Sequence, residues 1–385
     1  MSYIRSSGHA GVTLASTDNL YINTLEVDFP ESTQLKGRIF GNGYHNIPVR
    51  IRFKILDRAN NNKDVSAQYK DAIHLYDVSA NCGIADGVTL NGTISADLFA
   101  DRVASEYTLG LYAAPSVLSA SQDTGGMTEV MRYVRTRQPL TTMKDFKIGA
   151  YLALHDEATP GGNMVSANDK FVTLTVLPPI NYADPGQWAV GEGITTGLTP
   201  EGGMNLNGVD PSQVTLRSRQ FSLQHSMLKD NSPIRLTVNS AYTHVGNPMH
   251  LSGNRLLAGA VLTDNDALGK QEARGMCWLV PEGGVTYTMQ PVLISSAAAD
   301  NGIFMEAGLS SPVTLFGADS NVNKNAAALT LVQGEMLIRN EKFTVPGGQT
   351  RNTGVLSLSD NVGHMQSVQV VCDTSTGRPL ITGKG

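Results

Sequence analysis

Along much of the chain, apolar and polar side chains alternate one for one. In Val49-Arg50-Ile51-Arg52-Phe53-Lys54-Ile55 the apolar residues share one face and the three cations the other, which is the period-two signature of a half-buried strand. Phe146, Ile148, Ala150, Leu152 and Leu154 repeat the pattern, as do Val172, Leu174 and Val176 between Thr173 and Thr175. In the second half Ile234, Leu236 and Val238 alternate. Further strands are predicted at Val313–Phe316, Leu329–Val332, Glu335–Arg339, Val355–Leu358 and Val368–Cys372. Met276–Val280 and Val285–Met289 flank Pro281-Glu282-Gly283-Gly284, an arrangement that predicts a hairpin.

Helical periodicity is scarce. Ser95–Ala104 opens with a capping Ser and sets Leu98, Phe99 and Val103 on one side, while Val65–Ile73 and Met127–Tyr133 are shorter candidates. None could cover a parallel sheet, which disfavours a doubly wound α/β fold. The expected fold is all-β, with two β-sandwich-like domains and a few short helices.

The clearest break lies between Pro178 and Pro211. It opens on Pro178-Pro179 and then carries Gly186, Gly191, Gly193, Gly197, Gly202, Gly203 and Gly208 among few strongly apolar residues. Such a stretch reads as a linker, a functional loop or an arm. The predicted organisation is an N-terminal arm at 1–20, a β domain with insertions at 21–177, a Gly/Pro-rich linker at 178–211, and a second sandwich or barrel-like domain at 212–385. Trp188 within the linker is read either as an anchor to a neighbour or as packing on its own domain.

Composition supports the β reading. At 385 residues the chain exceeds the usual reach of one core, so two domains are expected. Charged residues are 16% against about 25% in average domains, and Gly, Ser, Thr and Asn replace them. The net charge of −5 supplies no positive field for phosphate backbones, so nucleic acid is not an expected partner. Arg132, Arg135, Arg137, Lys144 and Lys147 fall within one segment, at a density ordinary for a solvated strand face. Cys82, Cys277 and Cys372 form no CxxC pair, and Cys277 and Cys372 lie in apolar runs where a thiol behaves as a buried hydrophobe. The opening residues show no apolar run after a basic end, and no stretch approaches a membrane helix. The expectation is synthesis in the cytoplasm without a Sec signal peptide, with a virion or extracellular particle as the final location.

Ile22-Asn23-Thr24-Leu25-Glu26-Val27, then Gly41-Asn42-Gly43, the strand Ile47 to Asp57 and the turn Arg58-Ala59-Asn60-Asn61-Asn62 resemble the opening of bacterial immunoglobulin-like repeats. Such repeats occur in invasin-type adhesins and in phage tail and virion proteins. The resemblance covers about residues 21–115. It departs from the pattern in lacking a Gly in the last turn, and the unit occurs once. It implies an immunoglobulin-like first sandwich that presents or spaces something, and carries no catalytic residue across.

Motifs that carry chemistry are scarce in the sequence. No Gly-x-Ser-x-Gly elbow occurs, and Gly191-Glu192-Gly193-Ile194-Thr195-Thr196-Gly197 places its third glycine one position late for a dinucleotide loop. No His-Glu-x-x-His or similar zinc spacing is present. His244 and His250 make a lone pair around a turn, and His155-Asp156-Glu157 reads as a solvated turn. Asp319-Ser320-Asn321-Val322-Asn323 matches the first positions of a calcium loop, yet Lys324 stands where Gly is needed and Thr330 where a bidentate Glu closes the shell. Asp264-Asn265-Asp266 and Asp57 to Asp64 are shorter versions, with turn chemistry as the default. No catalytic residue and no cofactor is assigned, and the metal question is left open.

These observations rank a non-enzymatic structural or interaction protein first, such as a virion, tail or tail-like particle component that assembles with itself or with other particle proteins. A secreted adhesin or toxin-like factor binding a receptor or glycan stands second, and a polysaccharide-degrading enzyme of a receptor-binding apparatus third. The candidate arms are Met1–Ser16 and the 178–211 segment.

Overall fold

The computed structural model describes residues 19–30, 35–84, 90, 93–112, 126–153, 163–165, 171–197, 214–229, 231–243, 256–265, 271–280, 287–289, 313–315, 323–340, 348–351, 353–373 and 376–385. The chain divides into two compact units, Met1–Pro179 and Ile180–Gly385. Both are built of sheets, and among the described residues no helix is long and apolar enough to cross a membrane.

The strands of the first unit are β1 (Leu20–Asp28), β2 (Lys36–Phe40), β3 (Ile47–Asp57), β4 (Lys63–Asp64), β5 (Ile73–Asp77), β6 (Cys82–Gly83), β7 (Leu98–Asp101), β8 (Leu111–Tyr112), β9 (Thr128–Thr136), β10 (Lys144–Ala153), β11 (Asn163–Val165) and β12 (Val172–Leu177). One sheet runs β1-β3-β9-β7 with β4 on β3; the other runs β6-β5-β10-β12-β2-β8 with β11 on β10. Lettering β1, β3, β5, β7, β9, β10 and β12 from A to G gives A-B-E-D against C-F-G, the strand order of an immunoglobulin-like sandwich. β2 crosses to the second sheet and joins β12 in parallel, from Lys36 opposite Thr173 to Phe40 opposite Leu177.

The alternation in β3 explains the packing. Val49, Ile51, Phe53 and Ile55 are fully buried and share one core with Phe146, Ile148, Ala150 and Leu152 of β10 and Val172, Leu174 and Val176 of β12. Their sequence neighbours Arg50 and Arg52 face outward and pair with Asp28 and Glu26 of β1. Gly37 is the residue on β2 that lets it cross: a Cβ there would lie 2.6 Å from the Phe29 ring and 2.7 Å from Ile47. The turn after β3 lacks glycine because Asn61 and Asn62 adopt the left-handed conformation themselves, at φ 54° and 59°.

Two expected helices are strands. Within Ser95–Ala104, Leu98–Asp101 forms β7, where Leu98 and Ala100 point inward and Phe99 and Asp101 outward. Met127–Tyr133 is largely taken up by β9, paired with both β3 and β7. Only the Val65–Ile73 candidate is helical, as a 3-10 helix over Ser66–Ala72.

The second unit contains β13 (Trp188–Gly197), β14 (Val214–His225), β15 (Leu236–Thr243), β16 (Leu256–Asn265), β17 (Gln271–Leu279), β18 (Tyr287–Met289), β19 (Val313–Leu315), β20 (Leu329–Asn340), β21 (Gly348–Arg351), β22 (Gly354–Asp360), β23 (Met365–Cys372) and β24 (Pro379–Lys384). A six-stranded sheet runs β13-β14-β20-β17-β16-β21, a four-stranded sheet runs β15-β22-β23-β24, and β18 pairs with β19. β16 runs against β15, β22 and β23, so the two larger sheets face each other. Phe221, Leu223, Leu329 and Leu331 are fully buried in the first of these sheets, and Leu236, Leu356, Leu358, Val368 and Val370 in the second.

Three expectations are corrected in this unit. The 178–211 segment is not a plain linker, because Trp188–Gly197 pairs along β14 from Trp188 opposite His225 to Gly197 opposite Arg217. Ladder hydrogen bonds use the backbone alone, so glycines join a strand when a neighbour offers a complementary edge. The strands flanking the predicted hairpin do not pair with each other among the described residues, since β17 pairs with β16 and β20 and β18 pairs with β19, and Pro281–Gly284 itself lies outside those residues. The two strands expected at 329–332 and 335–339 are one, β20. The N-terminal arm over residues 1–18, and residues 198–213, lie outside the described residues.

Candidate functional site

Between β2 and β3 the chain makes a turn over residues 41–46 that is fixed from several sides. Asn42 Oδ1 accepts the amides of Tyr44 at 2.9 Å and His45 at 2.8 Å. Gly43, at φ 83°, takes the left-handed conformation that glycine adopts without strain, and its N–H donates to Thr136 Oγ1 at 3.1 Å. His45 is fully buried; its Nδ1 accepts the Phe40 N–H at 2.9 Å, and its Nε2 meets the Leu109 carbonyl at 2.9 Å. One nitrogen accepts, so the other carries the proton and the ring is neutral. Asn46 ties this turn to the segment after β7: Nδ2 donates to Ser105 Oγ at 2.6 Å, Oδ1 accepts from Thr108 Oγ1 at 2.5 Å, and the backbone carbonyl accepts the Leu109 N–H at 3.1 Å. Arg135, bridged to Asp101 at 2.9 Å, donates a second N–H to the Gly43 carbonyl at 3.3 Å.

From this fixed backbone Tyr44 projects 60% exposed, with the Tyr107 ring edge-on at 5.9 Å. An aromatic ring on a rigid support offers a large apolar area with a polar tip and little entropy left to lose on contact. That makes the Tyr44–Tyr107 turn pair the best-formed candidate contact surface among the described residues.

The second unit holds a buried polar cluster. Residues 180–187 precede β13 and end in a 3-10 turn, Pro185–Gln187, capped by Asp184. Asp360, at the end of β22, accepts at Oδ1 from the amides of Val362 (3.0 Å) and His364 (2.8 Å). Its Oδ2 accepts from His364 Nδ1 (2.8 Å) and the Tyr182 hydroxyl (2.6 Å). Burial would raise this carboxyl, but the His364 bonds and then the Tyr182 hydroxyl outweigh it and hold Asp360 below the usual carboxylate range. Burial, with the Asp360 charge beside it, pushes the Tyr182 phenol far up. His225 lies against Tyr182 with ring centres 5.1 Å apart, and its Nδ1 accepts the Met227 N–H at 3.3 Å. Burial lowers the His225 imidazole, against the Asn181 carbonyl and the Asp184 charge.

A histidine bonded to a carboxylate has the outline of a general-base pair, but here the outer nitrogen is engaged. His364 Nε2 accepts the Ile180 N–H at 3.0 Å, leaving no lone pair for a substrate proton. His364 and Asp360 are each 6% exposed. The arrangement fixes the 180–188 segment to the β22–β23 turn and to the end of β14. Trp188 is part of it, packing within its own unit: Nε1 donates to the Tyr182 carbonyl at 2.8 Å, and the ring meets His225 edge-on.

The residues singled out from sequence have mostly local work. Asp57 caps Ala59 and Asn60, and Asp64 caps Ser66. Asn323 bonds both backbone groups of Thr330 through its side chain. Of the cations expected on a solvated strand face, Arg132 is instead buried, donating to the carbonyls of Met131, Lys70 and Ile73. Arg137 bonds the Ser95 carbonyl, Lys144 bridges Asp97, and Lys147 sits over Phe171. Cys82 is free and buried, and burial raises its thiol, with the Asp77 charge adding. His244, His250, His155-Asp156-Glu157, Asp266, residues 319–322 and the side chains of Cys277 and Cys372 lie outside the described residues. Among the described residues no group of three or more His, Cys, Asp or Glu is placed to hold a metal ion.

Sequence reasoning missed Tyr44, His45, Tyr182, His225, Asp360 and His364. Tyr44 had a local signal, an aromatic following Gly41-Asn42-Gly43 in a turn. The others had none, since Ile180 and His364 are 184 positions apart.

No family model matches the chain, and no curated protein matches it. Among solved structures it is similar to the C-terminal domain of the Streptococcus pyogenes antigen I/II-family protein AspA, at 9% identity and a TM-score of 0.19, with 93% of this chain and 96% of that one covered. A superposition of that quality carries no argument about fold or function.

Proposed function

We propose that this chain is a non-enzymatic structural or interaction protein that works by surface contact with copies of itself or with partner proteins, as a component of a virion, tail or tail-like particle does. The observation that supports it is the contrast in how polar chemistry is used. Buried His45, His364 and Asp360 are engaged in fixing backbone, while Tyr44 stands exposed on the turn that His45 fixes. Tyrosines are over-represented among the few residues that carry most of an interface's energy, a hot spot costing about 2 kcal/mol or more on truncation.

Mass photometry across concentration, followed by negative-stain microscopy, tests this. The wild-type chain is expected to form rings, tubes or closed assemblies. Tyr44→Ala with Tyr107→Ala should weaken assembly by roughly thirtyfold, the equivalent of about 2 kcal/mol. A strict monomer at every concentration refutes self-assembly. The adhesin reading draws on the same surface, because an exposed ring near the fixed Arg135–Asp101 pair suits the apolar face and hydroxyls of a sugar. A glycan array read with the same double variant separates the two.

A further inference from the structure

The first residues of the second unit pack against two histidines, whose ring centres lie 5.1 Å (His225) and 6.2 Å (His364) from that of Tyr182. His364 accepts the N–H of Ile180, within the segment, whereas His225 accepts that of Met227, within its own turn. Around them the segment is tied by Gln366, which accepts the Tyr182 N–H at 2.8 Å and donates to Asn181 Oδ1 at 3.0 Å, and by Ser226, which donates to Gln187.

We propose that residues 180–187 form an acid-released strap: protonating His364 turns the nitrogen that accepts the Ile180 N–H into a donor aimed at it, and the segment detaches while the sheets of the unit stay paired. Release would add about eight extended residues, roughly 26 Å of contour, to the connection that follows β12. The inference is independent of what the protein contacts.

The charged and titratable groups packed here are few. The segment itself brings Tyr182 and Asp184, β14 ends in His225, and the β22–β23 turn brings Asp360 and His364. From the start of β15 comes Arg235, whose guanidinium turns back on the Ser232 and Ile234 carbonyls. The turn after β14 carries Lys229, and β24, which runs beside the 3-10 turn, has Lys384 as its one charge. A proton added to His364 Nε2 leaves the Nδ1–Asp360 bond in place and breaks the Ile180 bond. For His225 the folded value lies below the unfolded one, so its contribution is present above the ordinary imidazole value of about 6.5 and is lost as pH falls below it.

The test is amide hydrogen exchange on the full chain at about pH 7.5 and about pH 5, either side of that value, corrected for the intrinsic pH dependence of exchange. Ile180 and Tyr182 are expected to lose roughly tenfold protection or more at the lower pH while β14, β22 and β23 keep theirs. Trp188 fluorescence should change over the same range. His364→Gln combined with His225→Gln keeps an acceptor that does not titrate and should abolish the effect. The proposal is overturned by equal protection at both pH values, by loss shared equally with the sheet amides, or by a pH dependence that survives in the glutamine variant. Should that variant not fold, a ring-nitrogen NMR titration of the wild type decides: His364 remaining neutral through the release overturns the proposal, and its protonation in step with it supports it.

Discussion

His45 in the first unit and His364 in the second treat the backbone alike and the neighbouring tyrosine in opposite ways. Each accepts a backbone amide, that of nearby Phe40 at 2.9 Å for His45 and that of distant Ile180 at 3.0 Å for His364. Around His45 the partner of the second nitrogen is a carbonyl, and the turn it fixes pushes Tyr44 out into solvent. Around His364 the partner is the Asp360 carboxylate, and the segment it fixes draws Tyr182 wholly inside. The same device therefore serves presentation in one unit and anchorage in the other. The difference lies in the partner of the second nitrogen, an anion, Asp360, beside His364 and a backbone carbonyl beside His45.

Removing the anion should break the comparison most severely. Asp360→Ala strands the buried Tyr182 hydroxyl, His364 Nδ1 and two amides, and is expected to destabilise the second unit by about 4 kcal/mol. In urea unfolding, with each unit followed by hydrogen exchange of its own core amides, the first unit should be unaffected. A smaller loss, about 2 kcal/mol in the first unit, is expected for His45→Ala, which leaves the Phe40 amide and Leu109 carbonyl buried without their partner. The same variant should loosen Tyr44 and weaken assembly, which a purely structural role for the turn would not predict. The mildest change sharpens the comparison: Gly43→Ala has open space for its Cβ, so only the positive φ resists it, at about 1 kcal/mol. If Gly43→Ala impairs contact as strongly as Tyr44→Ala, the exact pose of the ring matters as well as its presence.

The sandwich of the first unit is legible in the sequence because its strands are buried on one face. Val49 to Ile55 and Val172 to Val176 alternate in sequence and also in burial. Leu98-Phe99-Ala100 misled because two adjacent apolar residues fit a helix as well as a strand, and only pairing with β9 settles which. Gly191 and its neighbours misled for the complementary reason: a strand that joins through backbone bonds needs no apolar side chain to declare it. The candidate surface was half-visible as a turn, while the strap was invisible. Its partners meet only once two sheets are folded, and a histidine that accepts an amide looks in sequence like any other.

The parallel pairing of β2 with β12 has a mechanical meaning. Tension reaching β2 from the N-terminal side enters at Lys36, and tension leaving towards Pro179 departs from Leu177. Because the strands run in the same direction, these points lie at opposite ends of the pair. The five matched positions from Thr173 to Leu177 then bear the pull together in shear, where an antiparallel pair pulled at one end would open rung by rung. If the sandwich is strung between two loads, its resistance to being pulled apart resides in a few backbone bonds between a crossover strand and the last strand of the unit.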